Sequence, residues 1–126
     1  MAKRTSINIK GMAHGAPIPM GSKIGNMVYS SGIAGRDTEA GKMPESAEEQ
    51  AVHMFKNIRA FMDAAGGTPD DIIQVLILTK DEKYREQINP EWLKMFPDEH
   101  SRPARHVMTT DVRGALFQAE IVAVLG

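Results

Sequence analysis

The sequence predicts an α+β fold in which two helices pack on one face of a mixed β-sheet. Along the 126 residues the elements run strand, hairpin, helix, strand, helix, hairpin. Each helical segment carries a single apolar stripe, so both helices are expected on the same face of the sheet. The length suits a single domain, residues 1–126, whose core needs no disulfide staples.

Composition and charge exclude several functional classes. Fifteen basic and 16 acidic residues give a net charge of −1, which offers no general attraction to nucleic acid or to a membrane. The chain has no cysteine, which excludes disulfides, zinc–thiolate sites and cysteine nucleophiles and favours a cytoplasmic location. No apolar run approaches the roughly 20 residues of a membrane-spanning helix. Residues 1–4 are not followed by the apolar run of a signal peptide.

The first third of the chain predicts strands separated by long loops. Thr5–Ile9 alternates polar and apolar residues and predicts a strand. Gly11–Gly21 is rich in glycine and proline, and loops of this length are often functional. Lys23–Ser31 predicts a hairpin with its turn at Gly25-Asn26. Gly35–Pro44 is a polar loop.

The clearest helix runs from about Ala47 to Ala65. Ser46 and Glu49 predict a capping box, in which each side chain satisfies a backbone N–H of the other residue. Gly66-Gly67 supplies the left-handed stop. One buried face is predicted at Ala51, Met54, Phe55, Ile58, Phe61, Met62 and Ala65.

A buried strand and a second helix follow. Ile72–Leu78 is a continuous apolar run and predicts a strand buried on both faces. Asp81–Phe96 predicts a helix that contains Pro90. Either this helix kinks at Pro90, or Asn89 caps a new helix with the proline in its first turn.

Two strands, about Ala104–Thr110 and Ala115–Leu125, are predicted to form a closing hairpin. If Val112-Arg113 are its loop residues, Arg105 lies opposite Glu120, with Cβ atoms roughly 5 Å apart. A carboxylate on an aliphatic strand face is costly unless it is paired. The pair is therefore either a structural ion pair or a site that binds a carboxylate and moves protons.

The sheet face away from the helices is predicted to be apolar and to form a subunit interface, because an exposed apolar surface of that size is unusual. The residues assigned to it are Val28, Ser30, Val75, Ile77, Leu116 and Val122.

No metal site is predicted, because the histidines lack metal-ligand spacing. His106 alternates away from Arg105 and is expected to point toward the helix layer or a strand edge. The four histidines are His14, His53, His100 and His106.

Taken together, these segments resemble the Rid proteins (reactive intermediate deaminases, also called the YjgF family) over about residues 16–124. Pro103-Ala104-Arg105 with Glu120 fifteen residues later is fairly specific, and the order and spacing of all the matching segments together is more specific than any one of them. The other matching segments are Gly25-Asn26, Ser31-Gly32, Glu48-Glu49-Gln50, Asn57-Ile58, Ala64-Ala65-Gly66, Asn89 and Gly114-Ala115-Leu116.

The resemblance implies a chorismate-mutase-like fold and a homotrimer with sites in clefts between subunits. The activity it implies is hydrolysis of enamine or imine intermediates, such as 2-aminoacrylate, to a 2-keto acid and ammonia, without metal or cofactor. Arg105 would bind the substrate carboxylate, and Glu120 would activate water and move protons. Ser31 and Gly32 would line the pocket, and Asn89 would border it.

Some positions depart from the pattern of the Rid proteins. Ile18 stands where a tyrosine is usual, and Ile33 stands where glutamine is common. Val107 replaces a frequent cysteine, and His106 follows the arginine where a small residue is usual. The pocket wall is therefore expected to be more apolar, and a substrate with a larger or less polar imine is plausible.

Two other functions remain open at the level of sequence. The first is a non-catalytic trimer that uses Arg105 to hold a small carboxylate ligand. The second is an endoribonuclease or translation inhibitor, as some Rid relatives are described. The net charge and the lack of aromatic platforms argue against RNA binding.

Overall fold

The computed structural model describes residues 3–12 and 15–126, and within them a seven-stranded sheet carries two α-helices. The helices are α1 (Ala47–Ala65) and α2 (Arg85–Met95). The strands are β1 (Thr5–Ile7), β2 (Gly21–Ile24), β3 (Met27–Ser30), β4 (Ile33–Ala34), β5 (Ile72–Thr79), β6 (Ala104–Thr109) and β7 (Phe117–Val124).

The sheet has the order β1-β2-β3-β7-β5-β6, and the short β4 also pairs with β7. Every pairing is antiparallel except β5 with β6, which run parallel. The sheet is therefore mixed, as the sequence predicted. The hairpin between β2 and β3 is also confirmed, with Gly25 at φ 57° in its turn.

The core lies between the sheet and the helices. On β7, Phe117, Ala119 and Ile121 are buried, whereas the residues between them are only half-buried. This alternation shows that one face of the sheet is covered and the other is open. One continuous apolar cluster joins the covered face to the buried residues of both helices. Packing of both helices on one face is thus confirmed.

Helix α1 has the predicted bounds and the predicted ends. Ser46 Oγ accepts a hydrogen bond from the Glu49 backbone N–H at 3.1 Å. Gly66 ends the helix in the left-handed conformation, at φ 91°. The reciprocal bond from the Glu49 side chain is absent in the described part of the chain, so the predicted capping box is half formed. A capping box with both bonds lies after the helix, between Thr68 and Asp71.

Strand β5 is covered on one face only, so burial on both faces is wrong for the single chain. Val75 and Ile77 are fully buried under the helices, while Leu76 and Leu78 are half-buried on the open face. The prediction that the uncovered face includes Val28, Val75 and Ile77 is therefore wrong, because all three are buried. The prediction placed the wrong alternate residues on the open face, because a continuous run of apolar residues does not reveal which of its two alternating sets faces the helices.

Helix α2 begins later than predicted and continues through Pro90. A separate 3₁₀ turn, Glu82–Tyr84, precedes it and is capped by the Asp81 carboxylate. The new helix capped at Asn89 is therefore wrong. Asn89 instead lies inside α2, and its side chain is exposed.

The predicted closing hairpin is also wrong, because β5 lies between β6 and β7. Strand β5, helix α2 and β6 form a parallel β-α-β unit, in which the helix carries the chain back so that β6 pairs beside β5. Residues 110–116 then cross β5 to reach β7. A short connection fits two strands that pair directly, and it fits equally well two strands that lie on either side of a third. The length of the connection therefore does not predict pairing.

Candidate active site

Arg105 lies on β6, at one edge of the sheet. It pairs with the buried Val75 on β5, so its side chain leaves the sheet on the helix-covered side. There its guanidinium carbon lies 5.0 Å from the ring centroid of Trp92 on α2. This distance is within the range of a cation–π contact. The buried indole thus fixes the half-buried guanidinium at the edge of the sheet.

The surroundings of Arg105 are unfavourable for a positive charge. Burial lowers the pKa of Arg105, and the nearby charge of Arg85 lowers it further. The guanidinium nevertheless stays protonated at any physiological pH. In residues 3–12 and 15–126 no carboxylate lies within 4.0 Å of its nitrogen atoms, and no hydrogen bond involves them. An anion placed here would therefore gain from a desolvated and uncompensated cation.

Asn89 lies on α2, one turn before the Trp92 ring that contacts this guanidinium. Arg85, Asn89 and Trp92 are spaced by four and three residues, which places all three on one stripe of the helix. Trp92 is the buried member of the stripe and contacts Arg105. Asn89 and Arg85 are the exposed members of the stripe, one and two turns before Trp92. We call Arg85, Asn89, Trp92 and Arg105 the guanidinium region.

Glu120 lies on the central strand β7 and on the opposite face of the sheet. It pairs with Leu76 of β5, which in turn pairs with His106 of β6. Glu120, Leu76 and His106 therefore form one row across the open face. His106 lies on the edge strand β6 and alternates away from Arg105, as predicted, but it is on the open face and not toward the helix layer. It shares a face with Glu120, and Arg105 does not.

The predicted opposition of Arg105 and Glu120 is thus incorrect within one chain. Their strands are separated by β5, which places them about 10 Å apart across the sheet. Their side chains also leave the sheet on opposite faces. A structural ion pair between these two residues does not form in the described part of the chain.

Ser31, at the end of β3, is hydrogen-bonded to the segment that contains Ile18. The Ser31 hydroxyl donates to the Pro19 carbonyl oxygen at 2.8 Å, and its backbone N–H donates to Met20 at 2.7 Å. These bonds hold residues 17–20 against the strand end. Ile18, which is 55% exposed, borders a cavity of about 340 Å³ there.

Gly32 lies against the open face beside Glu120. A Cβ atom at this position would approach the Gln118 Nε2 to 2.7 Å, so a larger residue would displace that amide. Gln118 is two residues from Glu120 and on the same face of β7. Gly32 also lines a cavity of about 550 Å³. We call Ile18, Ser31, Gly32, Gln118 and Glu120 the carboxylate region.

Sequence reasoning missed three residues of these two regions. Trp92 is an apolar residue of the predicted second helix, a pattern that indicates only core packing, although the same ring also supports Arg105. Arg85 could have been found from its spacing to Asn89 and Trp92 on one helix. Gln118 could have been found from its alternation with Glu120.

The described residues offer no group of three or more histidine, aspartate or glutamate side chains that could hold a metal ion. His14 lies outside the described residues. In that same part of the chain, no helix has the length and apolar character needed to cross a membrane.

Comparison with known proteins places the chain in a family. Residues 16–125 match the family model described as Endoribonuclease L-PSP, which covers most of the chain. The chain belongs to this family, the Rid proteins. The expected family and the expected fold are therefore both confirmed.

Several Rid-family relatives carry informative names. A RutC family protein of Aquifex aeolicus is 32% identical over 84% of this chain and 87% of its own length. The 2-iminobutanoate/2-iminopropanoate deaminase of Escherichia coli K12 is 28% identical over 71% of this chain and 70% of its own. The crystal structure of RidA from the Antarctic bacterium Psychrobacter sp. PAMC 21119 is 27% identical, with a TM-score of 0.87 over 96% of this chain and 99% of that one.

Proposed function

We propose that the protein hydrolyses reactive imino acids, or the enamines in equilibrium with them, to 2-keto acids and ammonia. Water adds to the imine carbon, and the resulting tetrahedral carbon expels ammonia, so that C=NH and H₂O become C=O and NH₃. The substrate class follows the names of the relatives, which include imine deaminases. The reaction needs proton transfers and a fixed substrate, and the proposal requires no metal or cofactor.

The observation that carries this proposal is the uncompensated guanidinium of Arg105. Its position over Trp92 and its distance from any carboxylate of the described chain suit a group that binds the anionic end of a substrate. A guanidinium holds a planar carboxylate through two parallel hydrogen bonds, which also fixes the plane of the imino acid. Asn89 would then border the bound molecule.

Glu120 would handle water and protons in this proposal. A carboxylate can accept a proton from the attacking water and deliver one to the departing nitrogen. Ser31 and Gly32 would line the wall next to it. Support for this grouping comes from the contact between the Gly32 position and Gln118, on the same strand face as Glu120. Ile18 would supply an apolar part of that wall.

A complete site would then need two chains. Arg105 and Glu120 leave the sheet on opposite faces, so one subunit would contribute the guanidinium region and its neighbour the carboxylate region. The homotrimer expected for the family would place such clefts between subunits. The open sheet face supports association, because it exposes Tyr29, Met27 and Met108 by 56%, 38% and 46%.

The test is acceleration of imine hydrolysis above the spontaneous rate. An amino-acid oxidase generates the imino acid, and semicarbazide competes with the protein for it. We expect the protein to lower the yield of semicarbazone and to raise the rate of keto-acid release. If 2-keto acids bind but no imine from a panel of amino acids is hydrolysed faster, the protein is a small-molecule-binding trimer and the enzyme proposal is wrong.

A further inference from the structure

The guanidinium region contains a second cation whose position the proposed reaction does not explain. Arg85 is the first residue of α2, on the same helical stripe as Asn89 and Trp92. A positive charge at the N-terminus of a helix opposes the helix dipole, so Arg85 is not there to stabilise α2. The side chain is exposed.

Arg85 and Arg105 are linked through Trp92, because Arg85 shares a helical stripe with the ring that contacts Arg105. Arg85 is close enough for its charge to lower the pKa of Arg105. Within residues 3–12 and 15–126, neither guanidinium has a carboxylate within 4.0 Å. The two cations repel each other, and two negative charges placed between them would offset that repulsion.

We propose that Arg85 selects imino acids that carry a second carboxylate, so that the preferred substrates are the imines of acidic amino acids. This inference rests on the proposed function, since it assigns the first carboxylate to Arg105. The second carboxylate would lie toward the N-terminal end of α2, where Arg85 adds its fork and the helix dipole also favours a negative charge.

The alternative is that Arg85 is an ordinary solvated surface arginine. A solvated arginine would strengthen binding of every anion slightly and by long-range attraction, which salt screens. A selecting arginine strengthens binding of dicarboxylates alone. The two possibilities therefore predict different ratios between the affinity for dicarboxylates and the affinity for monocarboxylates.

The reaction that supplies such a substrate would be an oxidation of an acidic amino acid to its imine, or an elimination that leaves an enamine next to a carboxylate. The product would be a 2-keto diacid with four or five carbon atoms. Consumption of the product would fall to an enzyme that reduces, decarboxylates or transaminates 2-keto diacids.

The experiment compares pyruvate with oxaloacetate and 2-oxoglutarate as product ligands, by calorimetry at fixed ionic strength. We expect the parent protein to bind at least one diacid more tightly than pyruvate. Arg85→Gln should weaken diacid binding about tenfold or more, the effect of losing one charge-assisted hydrogen bond, and change pyruvate binding less than twofold. Arg85→Lys should recover part of the preference. Arg59→Gln, at an exposed position of α1, is the matched control.

Kinetics on the imines of alanine, aspartate and glutamate provide the second arm. A parent protein that binds and hydrolyses mono- and diacids equally well would overturn the role of Arg85 and leave the proposed function intact. An Arg85→Gln variant that weakens all ligands equally would do the same. If no imine is hydrolysed faster than in buffer, the proposed function fails, and the binding ratio still decides whether Arg85 recognises a second carboxylate.

Discussion

The guanidinium region and the carboxylate region differ in what holds the charged side chain in place. Arg105 is on an edge strand, and a tryptophan from a helix determines where its charge lies. Glu120 is on the central strand, and its direction is fixed by pairing with strands on both sides. In the proposed site, substitutions on α2 could therefore alter substrate binding at Arg105. The position of Glu120, which the sheet fixes, would stay the same.

The largest expected effect is on turnover and tests the carboxylate region. Glu120→Gln keeps the shape and the strand pairing but removes the carboxylate to which we assign proton transfer. Imine hydrolysis above the spontaneous background should fall about 10²–10⁴-fold, as is typical for loss of a general acid–base. Affinity for the 2-keto acid product should stay within about threefold, since binding is assigned to the other region.

The control for this variant is Glu45→Gln, at an exposed position of the loop before α1. Both rates are measured with the same oxidase and the same semicarbazide concentration. An unchanged acceleration by the Glu120→Gln protein would contradict the catalytic assignment of Glu120.

The next largest effect is on binding and tests the guanidinium region. Arg105→Lys keeps the positive charge but loses the fork that holds a carboxylate through two hydrogen bonds. Affinity for 2-keto acids should fall by about ten- to a hundredfold, in keeping with the loss of a charge-assisted hydrogen bond. Calorimetric titration checks this. Equal affinity in the parent and in the Arg105→Lys protein would leave Arg105 a structural residue.

Mixing two inactive variants tests whether the two regions come from different chains. Sedimentation of the parent should give about three times 13.8 kDa. When Arg105→Ala and Glu120→Ala chains are refolded together, roughly three-quarters of the trimers are mixed and each has one intact cleft of three. About a quarter of the sites should therefore recover activity. No recovery in verified mixed trimers would show that both residues serve a site within one chain.

The smallest effect concerns the contact that supports Arg105. Trp92→Phe leaves a smaller ring under the guanidinium and weakens a cation–π contact worth about 0.5–2 kcal/mol. Affinity for 2-keto acids should fall about two- to fivefold, while the rate at saturating imine stays close to that of the parent. A drop in the saturated rate comparable to that of Glu120→Gln would mean that the two regions are not separable in function.

Local rules predicted the helices better than they predicted the site. Ser46 and Gly66 carry the capping chemistry that bounds α1, so both ends could be predicted within a residue. The alternation of side chains along β7 likewise implies that Glu120 and Gln118 share one face, because they are two residues apart on a strand. Both inferences use interactions between residues that are close in the chain.

The relative placement of Arg105 and Glu120 could not be predicted in the same way. It depends on β5 entering between β6 and β7, which is decided by packing of α2 and by pairing between distant segments. No residue near the 110–116 connection signals that a strand will lie beneath it. The β-α-β sequence of β5, α2 and β6 did carry that information, because parallel neighbours need a crossover of this length.

The central position of β7 has a consequence for how the molecule is built. β7 pairs with β3, β4 and β5, all of which precede it in the chain. Until its residues are available, the N-terminal strands and the β5–β6 pair are two separate sheets with unpaired edges, which invite association with other chains. Assembly of the sheet is therefore dominated by contacts between segments far apart in sequence, which slows folding. The step that completes the sheet also fixes Glu120 on its open face, so the carboxylate region of the proposed site forms only when the fold of the chain is complete.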